Sequence, residues 1–246
     1  MPKRSLMLAG GGLKIAFQAG VLQVWLDEAG IEFDHADGVS AATFNLAMWV
    51  QGMSGTQIAD AWRNFKPVSA VKINWWQLLR LTHAQSLFKF DAFRKKFFPA
   101  WGLDWEKIRG SRNVYNFSRQ ILCPVTPPEM TEDFLIASAS LPIWFPPVRI
   151  DGDTYIDAVF NTASNIEEAI RRGADELWVI WTTSSRGKWL DGFVGNFFGI
   201  FEATTNGGYQ RVLARIDANN AAIERGRSGE FGRRITVREL RSEVEL

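Results

Sequence analysis

The sequence predicts an α/β fold, a mostly parallel central sheet flanked by helices, and three stretches predict it. Residues 6–9 form a short apolar run that Gly10, Gly11 and Gly12 turn into a helical pattern over 13–29, closed by Gly30. Residues 31–39 and then 41–51 repeat the strand-then-helix order. A third step places a helix after Ser164 and a buried strand at 177–181, Leu-Trp-Val-Ile-Trp.

The remaining elements follow in order. Over 56–66, Ile58, Ala61, Trp62 and Phe65 share one helical face, and Pro67 follows its end. Residues 71–81 are apolar and aromatic without strand alternation, and a helix over 91–98 carries Arg94, Lys95 and Lys96. Residues 65–110 therefore read as a helical cap or insertion. Residues 113–118 alternate as a strand does, 131–138 read as a short helix, and the prolines of 141–147 make a rigid loop. Two short runs around Asp151-Gly152-Asp153 signal a hairpin that delivers Asp157 at a strand end. Ser164-Asn165-Ile166-Glu167 has the form of a capping box, and Gly173 closes its helix. A long helix over 204–225 and a strand at 235–237 complete the chain, so that 203–246 is a C-terminal helix and edge strand of one domain spanning 1–246.

Composition narrows the partners. Twenty-eight basic against 27 acidic residues give a net charge of +1, which makes no demand for nucleic acid. The single cysteine, Cys123, excludes an internal disulfide and a multi-thiolate metal site, and is expected in the core. The opening residues are too short for a leader and no apolar run reaches the roughly 18 residues of a membrane span. A cytoplasmic location is expected, with any membrane contact peripheral. Two aromatic stretches, 73–80 and 188–201, are candidates for that contact, beside Arg80, Lys89, Arg94, Lys95 and Lys96. Alternatively they line an acyl pocket or the core.

Gly38-Val39-Ser40-Ala41-Ala42 lies between a strand and a buried helix, where a tight turn exposes a serine hydroxyl to the helix N-terminus. The glycines at 10, 11 and 12, followed by Lys14, let backbone N–H groups converge on negative charge. That charge is either a nucleotide phosphate or an oxyanion. A dinucleotide fingerprint needs a small residue where Ile15 stands, although Asp34 lies near the ribose-binding distance. A serine nucleophile needs a base, and neither His35 nor His83 is well placed. Asp157 is the more economical base if it is partly desolvated.

These pieces, in this order, resemble the patatin-like phospholipase family: the Gly-Gly-Gly-x-Lys loop, the elbow from Gly38 to Ala42, the run from Ala137 to Pro147, and Asp157 with Asn161. The resemblance implies a three-layer fold and a serine-aspartate dyad of Ser40 and Asp157. It also implies an oxyanion hole from Gly10, Gly11 and Gly12, and hydrolysis of phospholipid or another acyl-ester lipid without metal or cofactor. Lys14, Gly38, Ala42, Ala158 and Asn161 are supporting positions. Four departures stand out: Ala42 and Ala158 replace glycines, Ile15 replaces another, and Ala163 replaces a proline. A positive φ at Ala158 carries a cost of about 1 kcal/mol. The alternatives are a lipid-binding relative without activity and a nucleotide-binding Rossmann-type protein. The oligomeric state is not legible.

Overall fold

The computed structural model describes residues 2–80, 83–104, 111–126, 130–162, 164–183 and 187–243, excepting the side chains of 111 and 112. Ala163 and part of the expected insertion, 81–82 and 105–110, lie outside the described residues. The chain opens with β1 (Arg4–Leu8), α1 (Ile15–Leu22), β2 (His35–Gly38), α2 (Ala42–Val50) and α3 (Gly55–Arg63). Short pieces follow: α4 (Pro67–Ala70), β3 (Lys72–Ile73), α5 (Trp75–Leu78), β4 (Phe88–Lys89) and α6 (Phe98–Ala100). Then come β5 (Ser111–Asn116), β6 (Ile121–Val125), α7 (Glu132–Ser138), β7 (Val148–Ile150) and β8 (Asp153–Asp157). The last elements are α8 (Ile166–Arg171), β9 (Glu176–Trp181), α9 (Gly192–Glu224) and β10 (Thr236–Arg241).

Side-chain alternation along β1 explains the layers. Leu6 and Leu8 point to one face and Met7 to the other, as the two-residue period of a strand requires. Leu6 and Leu8 pack with Ile15 and Leu22 of α1, Leu46 of α2 and Ile58 of α3. Met7 joins Ile166 and Ile170 of α8 and Tyr209 and Ile216 of α9. Helices thus cover both faces, which accounts for the continuous apolar run of Leu6, Met7 and Leu8 in β1. Each fully buried aliphatic side chain contributes about 1.5 to 3 kcal/mol.

The sheet has eight strands in the order β10-β9-β1-β2-β5-β8-β7, with β6 paired to β5. Pairs β10–β9, β9–β1, β1–β2 and β2–β5 are parallel, whereas β8 is antiparallel to both β5 and β7. That antiparallel strand, absent from a simple doubly wound sheet, positions the site. Gly38 is level with Arg112, and Asp157 is level with Val114, two residues further along β5. By that rung the chain leaving β2 has reached Ser40.

Several local expectations are corrected. The capping box at 164–167 does not form: Asn165 is the first residue outside α8, its side chain makes no capping bond, and its amide is used elsewhere. Ser54 and Gln57 form one instead at α3. Cys123 lies on β6, a strand the sequence reading missed, and is half-buried rather than in the core. The last helix starts at Gly192, well before 204, because its glycines concealed its first turns.

Asn45, fully buried on α2, ties three helical segments together. Its amide donates to the Ile15 carbonyl at 2.9 Å and to Gln18 Oε1 at 3.2 Å, and its oxygen accepts from Trp62 Nε1 at 2.6 Å. Asn45→Leu leaves those buried groups unpaired, and is expected to lower stability by about 2 to 4 kcal/mol in denaturant unfolding.

Candidate active site

Three residues, Val39, Ser40 and Ala41, reverse the chain between β2 and α2. Ser40 takes φ 56°, the left-handed region that non-glycine residues rarely occupy. The turn is held by the N–H of Ala42 on the Val39 carbonyl at 3.2 Å. The Thr43 hydroxyl adds a bond to the Ser40 carbonyl at 2.7 Å. Gly38 answers a steric demand, since a Cβ there would stand 3.2 Å from Thr43 Cα and 3.3 Å from Leu46 Cβ. Ala42, by contrast, places its methyl in the same core as Leu46, so this glycine-to-alanine departure is absorbed by packing.

Ser40 Oγ donates to Asp157 Oδ2 at 2.5 Å, and the Val159 N–H donates to Asp157 Oδ1 at 2.9 Å. Ser40 is 6% exposed and Asp157 1%. Burial pushes the Asp157 carboxyl up to about 7, against the two hydrogen bonds that favour its charged form. Ala158 is buried but does not adopt positive φ, so the methyl cost that such a conformation would carry does not arise. Asn161 is exposed, and its N–H closes a turn on the Ala158 carbonyl at 2.8 Å.

The glycine loop runs directly beside the serine. A Cβ on Gly10 would lie 2.9 Å from Ser40 Cβ, and one on Gly11 only 2.2 Å from Thr182 Oγ1. The Thr182 hydroxyl donates to the Gly10 carbonyl at 2.5 Å, pinning the loop from the end of β9. Gly12 has φ 57°. The N–H groups of Gly10, Gly11 and Gly12 have no acceptor among the described residues. Lys14 pairs with Glu202 of α9 at 2.9 Å.

Sequence reading overlooked the support under the turn. Asp37 is fully buried; His35 Nε2 lies 2.8 Å from its Oδ2, and Asn165 Nδ2 donates to its Oδ1 at 3.0 Å. Asn113 donates to Asn165 in turn. Burial raises the Asp37 carboxyl, with His35 opposing. The only sequence signal was an acidic residue inside a strand that is otherwise buried. Asp34, the ribose candidate, instead accepts the Arg4 N–H at 2.8 Å and holds the start of β1.

Ser40, Gly11 and Gly12 face a cavity of about 480 Å³ whose other walls are mostly apolar, among them Phe44, Trp62 and Phe93. Leu190, Phe198 and Phe201 from the second aromatic stretch also line it, while Trp75 and Trp76 from the first stay exposed. Among the described residues no group of His, Cys, Asp and Glu is arranged to hold a metal ion, and no helix is long and apolar enough to cross a membrane.

The model of the patatin-like phospholipase family matches residues 6–170. No curated protein matches the chain at a significant level. Among solved structures, VipD from Legionella pneumophila aligns with 13% identity and a TM-score of 0.44, over 91% of this chain and 55% of that one. The chain thus spans about half the length of VipD. The family match takes in β1, the glycine loop, the Ser40 turn, Asp157 and most of α8, well over half of the chain, and on that match the chain belongs to the patatin-like phospholipase family.

Proposed function

We propose that the protein hydrolyses acyl esters of phospholipids or similar lipids, with Ser40 as nucleophile, Asp157 as general base and Gly10, Gly11 and Gly12 as the oxyanion hole. The observation that carries this reading is the 2.5 Å bond from a left-handed, buried serine to a buried carboxyl group. As Ser40 Oγ attacks the ester carbonyl, its proton passes to Asp157. The negative charge gathers on the carbonyl oxygen, where the unpaired glycine N–H groups offer hydrogen bonds. Collapse of this intermediate expels the alcohol, which takes the proton back. Water then attacks the acyl-serine, gives its proton to Asp157, and frees the fatty acid and the serine.

The mostly apolar walls of the cavity suit an acyl chain, with Lys14, Lys188 and Glu202 the charged residues among its lining. Gly38 and Ala42 shape the turn, Ala158 and Asn161 shape the segment after Asp157, and Lys14 holds α9 against the glycine loop through Glu202. In the same reading 1–246 is one domain, 65–110 is its cap, and the closing helix and edge strand expected over 203–246 are α9, which begins already at Gly192, and β10.

A fluorophosphonate probe should label the wild type and not Ser40→Ala, and hydrolysis of a short p-nitrophenyl ester should disappear with the label. Wild-type protein that neither labels nor hydrolyses overturns the reading. Asp157→Asn should lower kcat by about 10² to 10⁴.

Catalysis requires ionised Asp157, so kcat/KM should rise with pH to a plateau above about 7. Stability runs the other way. The folded-state pKa is raised from 3.8 to about 7, so this group's stabilising contribution is complete below pH 4 and is lost as pH rises through 7. Ionising the buried carboxyl costs the folded state on the order of 3 to 5 kcal/mol. Asp157→Asn should therefore melt above the wild type at pH 8, with the difference vanishing near pH 4.

A further inference from the structure

We infer that the mouth of the Ser40 cavity is a docking face for an anionic phospholipid bilayer, built from two exposed aromatic patches whose segments border the same opening. This rests on the acyl-ester reading above and names the surface from which the substrate is taken.

Leu13, Leu190 and Phe198 line the cavity and are also exposed, so they mark its mouth. Val71, another wall residue, leads directly into the first patch, where Ile73, Trp75, Trp76 and Leu79 are exposed. Trp75 is 66% and Trp76 77% exposed, yet the segment is anchored. Between Ile73 and Trp75, Asn74 is buried; its N–H bonds the Leu87 carbonyl at 2.8 Å and its amide bonds Ser86 Oγ at 3.3 Å. The tryptophans therefore project from a fixed base.

The second patch is the first turns of α9. Phe198 and Phe201 face the cavity while Phe193, Val194 and Ile200 face outward. Here too the backbone is fixed. A Cβ on Gly195 would stand 2.1 Å from the Leu190 carbonyl oxygen, and one on Gly199 2.6 Å from the Trp189 ring, so glycine lets the 189–190 segment lie flat on the helix.

Exposed aromatic and aliphatic side chains gathered around a cavity mouth mark an interaction surface. Tryptophan rings with apolar faces and a polar N–H suit the headgroup boundary of a bilayer. Charge selects the kind of bilayer. Residues 66–80 contain Lys66, Lys72 and Arg80 and no acidic residue. Lys72 and Arg80 form no ion pair among the described residues. Lys188 lies at the mouth, with Asp191 the single carboxylate of the second stretch. Aromatic anchors with unpaired cations favour an anionic lipid surface. A chain entering from that surface reaches Ser40 through an apolar passage.

The test uses the full chain and flotation with vesicles of phosphatidylcholine, with and without phosphatidylserine. Wild type and Ser40→Ala should both float with the phosphatidylserine vesicles. Trp75→Ala/Trp76→Ala and Phe193→Ser/Val194→Ser should each weaken that binding by at least about tenfold. Turnover of a soluble short-chain ester and the melting temperature should stay unchanged in both. Lys72→Glu/Arg80→Glu should remove the preference for phosphatidylserine, as should high salt. Equal binding by wild type and the aromatic variants, or no binding by wild type, overturns the proposal. Dimerisation of the wild type, lost in the same variants, assigns the face to a second copy and overturns it as well. Vesicle binding by a wild type that hydrolyses no ester retains the docking face and rejects the hydrolase reading.

Discussion

Three strand ends meet where there is room for backbone and almost nothing else. The loop leaving β1 passes so close to Ser40 on one side and to Thr182 on the other that Gly10 and Gly11 have no space for a Cβ. This close approach is what a parallel arrangement of β1 between β2 and β9 produces when all three strands stop at one level. It brings unpaired amide N–H groups beside a serine hydroxyl without any side chain between them. The close approach of the loop to Ser40 is thus achieved by omission of atoms. A methyl group on Gly10 pushes against the Ser40 turn, and one on Gly11 against Thr182.

The turn at Ser40 is held in an unfavourable conformation, and the neighbouring network accounts for that. Asp37 is locked by His35 and Asn165, and Gly38 packs against Thr43 and Leu46. The end of β2 is therefore fixed before the chain reaches Ser40, and the Thr43 hydroxyl fixes it again just after. Strain in the backbone persists only where its surroundings over-determine it. The buried carboxyl of Asp157 belongs to the same economy, an unfavourable environment maintained by the packing around it.

Much of this was legible because local rules and global fold agree. Apolar runs of strand length, glycine turns and the hairpin around Gly152 located the central elements, and the order of three short motifs located the serine, the aspartate and the glycines. What escaped depended on distance in sequence. Ser164 has the spacing of a capping residue, yet Asn165 takes that place in the fold and its side chain serves Asp37, 128 positions away. β6 contains Pro124 and sits on the outer side of β5, so it lacks the periodicity of a buried strand. Alanine at 158, where glycine is usual, carries a cost only at positive φ, and its φ is not positive. The glycines of the early α9 suggested a loop, although Gly195 and Gly199 are there to admit the 189–190 segment.

The length of α9 has a mechanical consequence. At 33 residues it is about 50 Å long. Its middle is fastened to the sheet by Trp181, which stacks on Tyr209 with ring centroids 3.9 Å apart and donates to Asn206 at 3.0 Å. Its far end is clipped by Asn219 and Asn220 to the backbone at Phe231, Arg233 and Ile235. Its first four turns run on past these fastenings to form one wall of the cavity, and they are held there as well, by Lys14 on Glu202 at 2.9 Å and by Phe201 packed with Val39 and Val159. One rigid helix thus joins the face of the sheet at Trp181 to the wall of the cavity at Phe201, and being fastened at both places it resists tilting at either.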